Sequence, residues 1–264
     1  MLIGWWRSRT LRRERARVTD ADWDWVWDSL PLLAGLDESQ WHRLTDLALR
    51  FLRDKRLEPA GGLVVTDRMG LLIAVQACLP ILELGLDWYR GWYAVIVYPE
   101  PFVPAREYAD ENGLVWVDDQ AKSGEAWEQG PVILSWSDVA AGLEPDGYNV
   151  VIHEMAHKLD MRDGAANGCP PLHPQMSAMD WKRDLTAAYD DLCRRDAAAE
   201  DTPIDPYATE SPAELFAVVS EAFFEIPDVL AQAYPAVYAQ LRAFYRQDPL
   251  ARLASIDDSR RDVD

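Results

Sequence analysis

His153 and His157 stand four residues apart, with Glu154 directly after the first, in the run His153-Glu154-Met155-Ala156-His157. The apolar residues Val150, Val151 and Ile152 precede the pair, so the segment reads as a helix. A four-residue spacing there puts both imidazoles on one face, one turn apart, where they can share a tetrahedral metal ion. Glu154 then lies beside the ion, not on it. From that position a carboxylate can take a proton from metal-activated water and hand it to a leaving amine. HExxH with this division of labour is a zinc-peptidase signature. Two of the four histidines in the chain fall in this one motif.

Two imidazoles do not complete a catalytic zinc site, so a third protein ligand is required. One scheme draws it from six residues after the second His, past a turning glycine. Here those positions hold Asp160 and Asp163, and without the turn Asp163 leads away from the ion. The other scheme takes a Glu from a later helix, with Glu210, Glu214, Glu221 and Glu225 as candidates. Glu214 and Glu221 are seven apart on an apolar helix, where a buried carboxylate needs a partner. Composition leaves these two level. A purely structural zinc site is disfavoured: it would leave Glu154 without a task and would be expected to use cysteines.

The run 153–161, then Asp205-Pro206-Tyr207-Ala208, then the run 212–224 opening Pro212-Ala213-Glu214-Leu215-Phe216-Ala217, resembles the Mlc titration factor A family of bacterial zinc peptidases. The segment Gly130-Pro131-Val132-Ile133-Leu134-Ser135-Trp136 fits the same family, and the likeness extends over about residues 36–245. This resemblance implies a catalytic part similar to the anthrax lethal factor peptidase domain. It implies Glu214 as third zinc ligand and Tyr207 as a catalytic phenol, able to stabilise an oxyanion. Glu221 then becomes a carboxylate orienting a ligand. Also implied are one zinc ion, aminopeptidase-type activity and binding of the repressor Mlc, which would touch sugar-uptake genes. The rival function is a module that sequesters such a repressor, with the zinc site ancillary.

The elements that must position these groups follow from periodicity and turn residues. Residues 36–51 and 66–78 read as helices, the first capped by Asp37 or Ser39, with a turn at Pro59-Ala60-Gly61-Gly62 between them. Strands are expected at 93–98, 113–117 and 132–136. Helices resume at 148–159, 180–195, 212–224 and 229–244. The fold class is therefore α+β: a helical N-terminal part, a small mixed sheet, and a zincin-like helical core with HExxH on one helix and the third ligand on a later one. The division is a basic arm and lead-in (1–35), a single peptidase domain (36–250, helical to residue 90 and catalytic beyond), and a charged tail (251–264) expected to fray. The strand at 132–136 is either an edge that pairs with extended substrate or a plain core strand, and the sequence leaves the two open. Asp160 and Asp163 either hydrogen-bond a ligand imidazole or cap a turn at Gly164. His173 and His42 read as solvated.

With a formal net charge of −19, the general surface is unsuited to nucleic acid or anionic membrane. The exception is the N-terminal arm, where Arg7, Arg9, Arg12, Arg13, Arg15 and Arg17 face only Glu14. It reads as a solvated segment, with an acidic partner or lipid headgroups as the alternative. Cys78, Cys169 and Cys193 show no paired spacing and indicate neither a disulfide framework nor a cysteine zinc site. The longest apolar stretch, 71–86, is broken by Gln76, Pro80, Glu83 and Gly85, so no membrane span is expected. No secretory signal pattern is visible, and the expected location is cytoplasmic.

Overall fold

The computed structural model describes residues 18–102, 107–109, 115–117, 124–126 and 130–261, with side chains in all but 107–109, 115–117 and 256–261. The arginine-rich arm, Gly113 and Leu114 of the expected second strand, and residues 262–264 lie outside the described residues.

Each N-terminal helix starts where the sequence supplies a cap. Thr19 and Asp22 form a capping box at α1 (Asp20–Ser29), Asp37 and Gln40 at α2 (Glu38–Asp54), and Thr66 and Met69 at α3 (Asp67–Cys78). Asp37, not Ser39, is therefore the cap of α2. Leu44, Leu47, Ala48 and Phe51 bury one face of α2, which packs on α3. From Met69 to Cys78 every residue of α3 is buried, as its unbroken apolar run requires. α1, within the stretch read from sequence as a lead-in, packs on α3 and buries Val26.

The main sheet joins β1 (Arg56–Pro59), β2 (Ala94–Tyr98), β6 (Val132–Ser135) and β5 (Gly124–Ala126), in that spatial order. β1–β2 and β2–β6 are parallel, and β5 runs antiparallel to β6 with Gly124 opposite Leu134 and Ala126 opposite Val132. Of the two readings of the strand at 132–136, this supports the core strand and not the edge. β6 has a neighbour on each side and all four of its residues are buried; a Val-Ile-Leu run suits an interior strand. Among the described residues the edges of this sheet are β1 and β5. A separate antiparallel pair, β3 (Glu107–Ala109) with β4 (Val115–Val117), accounts for part of the expected strand at 113–117.

A short helix, α4 (Trp136–Ala141), follows β6 directly. The helical layer comprises α5 (Val150–Asp160), α6 (Ala178–Ala197), α7 (Pro212–Glu225), α8 (Pro227–Ala233), α9 (Pro235–Tyr245) and α10 (Pro249–Arg261). The single helix expected at 229–244 is two, because Pro235 has no N–H to continue the ladder and opens a new helix after Tyr234. α10 runs through most of the segment expected to fray. Its Arg252 guanidinium donates to the Leu32 carbonyl at 2.7 Å, which ties the C-terminal helix to the N-terminal part. The architecture is the expected α+β arrangement with a zincin-like helical core. Among the described residues no helix is long and apolar enough to cross a membrane.

Candidate metal and catalytic site

α5 carries the two histidines because its N-terminus is fixed and its inner face is apolar. Asn149 caps the helix, accepting from the Ile152 N–H at 3.0 Å, and the His153 N–H makes the first helical bond to the Asn149 carbonyl at 2.9 Å. Val150, Val151, Ile152, Met155, Ala156 and Leu159 are buried, which leaves His153 and His157 turned toward a cavity of about 570 Å³. α7 packs directly against α5. Its start is set by Ser211, whose hydroxyl accepts from the Glu214 N–H at 3.1 Å, and by Pro212 in the first turn. Glu214 thus sits one turn into the helix, with its carboxylate facing the histidines.

The geometry separates the two carboxylates that composition left level. Glu214 Oε2 lies 3.0 Å from His153 Nε2 and 3.1 Å from His157 Nε2, and the two Nε2 atoms are 3.1 Å apart. Glu221 takes the opposite side of the His153 ring: its Oε1 is 2.7 Å from Nδ1, while its Oε2 accepts from the Asn149 N–H at 2.5 Å. A carboxylate that accepts from Nδ1–H fixes the tautomer in which Nε2 presents its lone pair inward. Three possible ligand atoms therefore converge on one point, where a cation or a shared proton would satisfy them together. The pKa directions express the same demand. Burial works to lower the His153 imidazole, but the Glu221 charge and the bonds to Glu214 and Glu221 hold it well above its ordinary value. Burial works to raise Glu214, but hydrogen bonds from both imidazoles hold it far below the carboxylate range. His153, His157 and Glu214, with ligand atoms all within 4.8 Å, are residues that could hold a metal ion, and a His₂Glu donor set suits a divalent metal.

Glu154 is 4% exposed and its Oε2 has no hydrogen-bond partner. Burial, partly offset by the two imidazoles, pushes its carboxyl up to about 7. Over it lies β5: a Cβ built at Gly124 would come within 2.8 Å of both Cγ and Cδ of Glu154 and closer still to Oε1. Only glycine lets the strand approach a buried carboxylate this closely. Tyr207 stands on a 3-10 turn, Pro206–Thr209, whose N-terminus is capped by Asp205 accepting from the Tyr207 N–H at 2.8 Å. Its ring centroid is 6.0 Å from that of His153, its side chain is half exposed to the cavity, and burial raises its phenol to about 12.

The remaining candidates lie elsewhere. Glu210 is exposed, and its N–H closes the Tyr207 turn. Asp163 is exposed beyond the end of α5. Glu225 Oε1 accepts from Asn149 Nδ2 at 2.8 Å, away from the cluster. Asp160 ties down a loop instead of an imidazole, accepting from the N–H groups of Asn167 and Gly168 at 2.7 Å and Cys169 at 3.0 Å. His173 is not the solvated residue expected: it bonds the Phe244 carbonyl at 2.8 Å and packs against Trp88 and Phe244. His42 is exposed, beside Glu38. Gly124 and Asn149 are the contributors that the sequence did not reveal. Asn149 stood four residues before His153, where its cap role was available to inspection. Gly124 carried no local signal.

A search against known proteins agrees with this geometry. The sequence profile of the glucose-regulated metallo-peptidase M90 family matches residues 3–246. Among curated proteins, the chain is 43% identical over 234 residues to Mlc titration factor A of Yersinia pestis (strain Pestoides F), covering 88% of this chain and 86% of that one. The protein of the same name from Yersinia pseudotuberculosis (serotype O:1b, strain IP 31758) matches with the same identity and coverage. A triad on two packed helices that could hold a metal ion and a match over nearly the whole chain lead to one assignment: the chain belongs to the glucose-regulated metallo-peptidase M90 family.

Proposed function

We propose that the chain is a zinc-dependent peptidase of aminopeptidase type, with His153, His157 and Glu214 as metal ligands, Glu154 as general base and then acid, and Tyr207 as oxyanion donor. The observation that carries this reading is the convergence of two imidazole nitrogens and a carboxylate oxygen at 3.0–3.1 Å beside a buried carboxylate with an unpartnered oxygen. A zinc ion held there supplies Lewis acidity, lowering the pKa of a water toward ~7 and polarising the scissile carbonyl. Glu154, held near neutrality by burial, can accept a proton at the start of the reaction and release it to the leaving amine at the end. The Tyr207 phenol stays protonated throughout the working range and donates to the oxyanion of the tetrahedral intermediate. Extended substrate lies along β5, which lines the cavity and is a sheet edge among the described residues.

The decisive experiment measures zinc content and turnover of amino-terminally free and blocked peptides, for the wild type and for Glu154→Gln. The variant should bind one zinc and lose turnover. Full activity in that variant would refute the base assignment, and cleavage of blocked and free peptides alike would refute the aminopeptidase assignment.

A second, regulatory role is supported by the name of the relatives, Mlc titration factor A: capture of an Mlc-like repressor in the cytoplasm, without direct contact with nucleic acid. Three free cysteines suit a reducing compartment. Pull-down of the repressor by intact and His153→Ala protein separates the two roles, since capture that survives loss of the ligand does not need the metal.

A further inference from the structure

Asn149 is 1% exposed, and each of its polar groups has a partner. Its Oδ1 caps α5 through the Ile152 N–H. Its Nδ2 donates to Gln76 Oε1 of α3 at 2.7 Å and to Glu225 Oε1 of α7 at 2.8 Å. Its backbone N–H donates to Glu221 Oε2, on the carboxylate that holds His153 Nδ1. One residue at the start of the histidine helix thus grips two carboxylates of the helix that carries Glu214. A slide of α7 against α5 would break these bonds and carry Glu214 away from both Nε2 atoms.

We propose that Asn149 is a positioning residue that sets the stagger of α5 against α7, and through it the metal affinity of the site. This rests on the reading of His153, His157 and Glu214 as metal ligands. The residue type follows from the inventory of bonds. Ser or Asp caps a helix as well as Asn does, but neither offers an amide NH₂ to two buried acceptors at once. A role as helix cap alone would leave Asn149→Asp close to wild type. A clamp requires the donor.

The experiment compares zinc affinity by chelator competition, far-UV circular dichroism and kcat for Asn149→Asp, for the double variant Asn149→Asp with Glu225→Gln, and for Glu225→Met. The measurements are made at pH 9, above the value near 8 to which burial raises Glu225, so that in Asn149→Asp the new carboxylate faces the Gln76 oxygen and an ionised Glu225. Zinc affinity should fall ~10–100-fold, the range seen when a partner of a metal ligand is lost, with the helical signal kept. Adding Glu225→Gln supplies an amide donor from the other side and should recover most of that loss. Glu225→Met removes one hold without touching the cap and should weaken zinc binding several-fold. It keeps the test decisive if Asn149→Asp does not fold. Wild-type affinity in Asn149→Asp or Glu225→Met overturns the clamp, as does a double variant no better than Asn149→Asp. His153→Ala serves as the control. If it binds zinc like the wild type, the ligand assignment fails; if it loses zinc while Asn149→Asp does not, only the clamp fails.

Discussion

Replacing Gly124 with alanine tests the site at a residue that is neither a ligand nor an acid or base. Gly124 is not among the glycines with positive φ, so its backbone accepts a Cβ, and the cost falls on what the Cβ meets. That is the buried side chain of Glu154, with Cγ and Cδ at 2.8 Å and Oε1 closer, against an ordinary contact distance that begins at 3.4 Å. Clearing the two carbons takes about 0.6 Å, and clearing the oxygen takes about 1 Å. β5 gives little of this, because its three residues are hydrogen-bonded to β6, which is buried along its length. The carboxylate must move, and a 1 Å misplacement of a reacting group costs about 10²-fold in rate. The expected outcome for Gly124→Ala is therefore kcat/KM lower by about two orders of magnitude, with full zinc content. Stability should stay within about 1 kcal/mol, since Ala is favoured over Gly in a strand and that gain offsets the displacement. Steady-state kinetics, metal analysis and a urea melt on the same preparation read all three. A Gly124→Ala protein that turns over at the wild-type rate with its zinc in place would show that the approach of β5 does not position the base.

Tyr207→Phe should lower kcat by about 10²–10³, the range for a lost oxyanion donor, with KM little changed; an equal loss in KM would make the phenol a binding group instead. Removal of the metal by chelator dialysis should lower the melting temperature, because the His153, His157 and Glu214 acceptors are left facing one another; saturating zinc at a thousand times its Kd should return about 4 kcal/mol. A melt unmoved by either step counts against the ligand set. Burial pushes the Glu225 carboxyl from 4.5 up to about 8, so between those values the folded state holds a proton that the unfolded state has released. Its contribution is fully present below pH 4.5 and is lost as pH rises toward 8, at up to about 1.4 kcal/mol per unit. Glu225→Gln keeps the oxygen that Asn149 donates to and does not titrate. Relative to the wild type it should gain stability between pH 5 and pH 8 in urea unfolding, and an equal difference at both pH values would contradict the buried-carboxyl account.

Much of the fold was legible because the signals were local. Thr66 and Asp37 announce helix starts through side chains three residues from their partners, and the apolar run of α3 declares its burial. The splitting of 229–244 is legible too, since Pro235 cannot continue the helix before it. The sheet was not. Val132-Ile133-Leu134 marks a strand, but whether it lies inside or at the edge depends on β5, three residues whose sequence Gly124-Glu125-Ala126 has low strand propensity. Such a strand forms because β6 offers it a ladder, and its glycine matters because a carboxylate thirty residues on lies beneath it. Neither fact is a property of the segment.

The ligand choice shows the same boundary more sharply. Glu214 and Glu221 are two turns apart on one face of α7, about 10 Å along the axis at 1.5 Å per residue. Both reach His153, on opposite nitrogens of one ring. Which carboxylate meets the open nitrogen therefore depends on the axial stagger of α7 against α5, and a slide of two turns would put Glu221 in the place of Glu214. At one end the stagger is held by Asn149 through Glu221 and Glu225. At the other, the loop pinned by Asp160 brings Gly168, at φ 81°, so close to the Pro212 backbone that a Cβ there would strike the carbonyl group. These contacts join residues dozens of positions apart, so no window of sequence contains them. Gly168→Ala adds strain in φ as well as a clash with backbone, and it presses on the turn that carries Glu214. It should cost stability and zinc affinity together, whereas Gly124→Ala should cost neither. Two glycine-to-alanine changes, one in the cavity lining and one against the start of the helix that carries Glu214, separated by zinc affinity and urea midpoint, thus distinguish a residue that builds the proposed metal site from one that only aims its base.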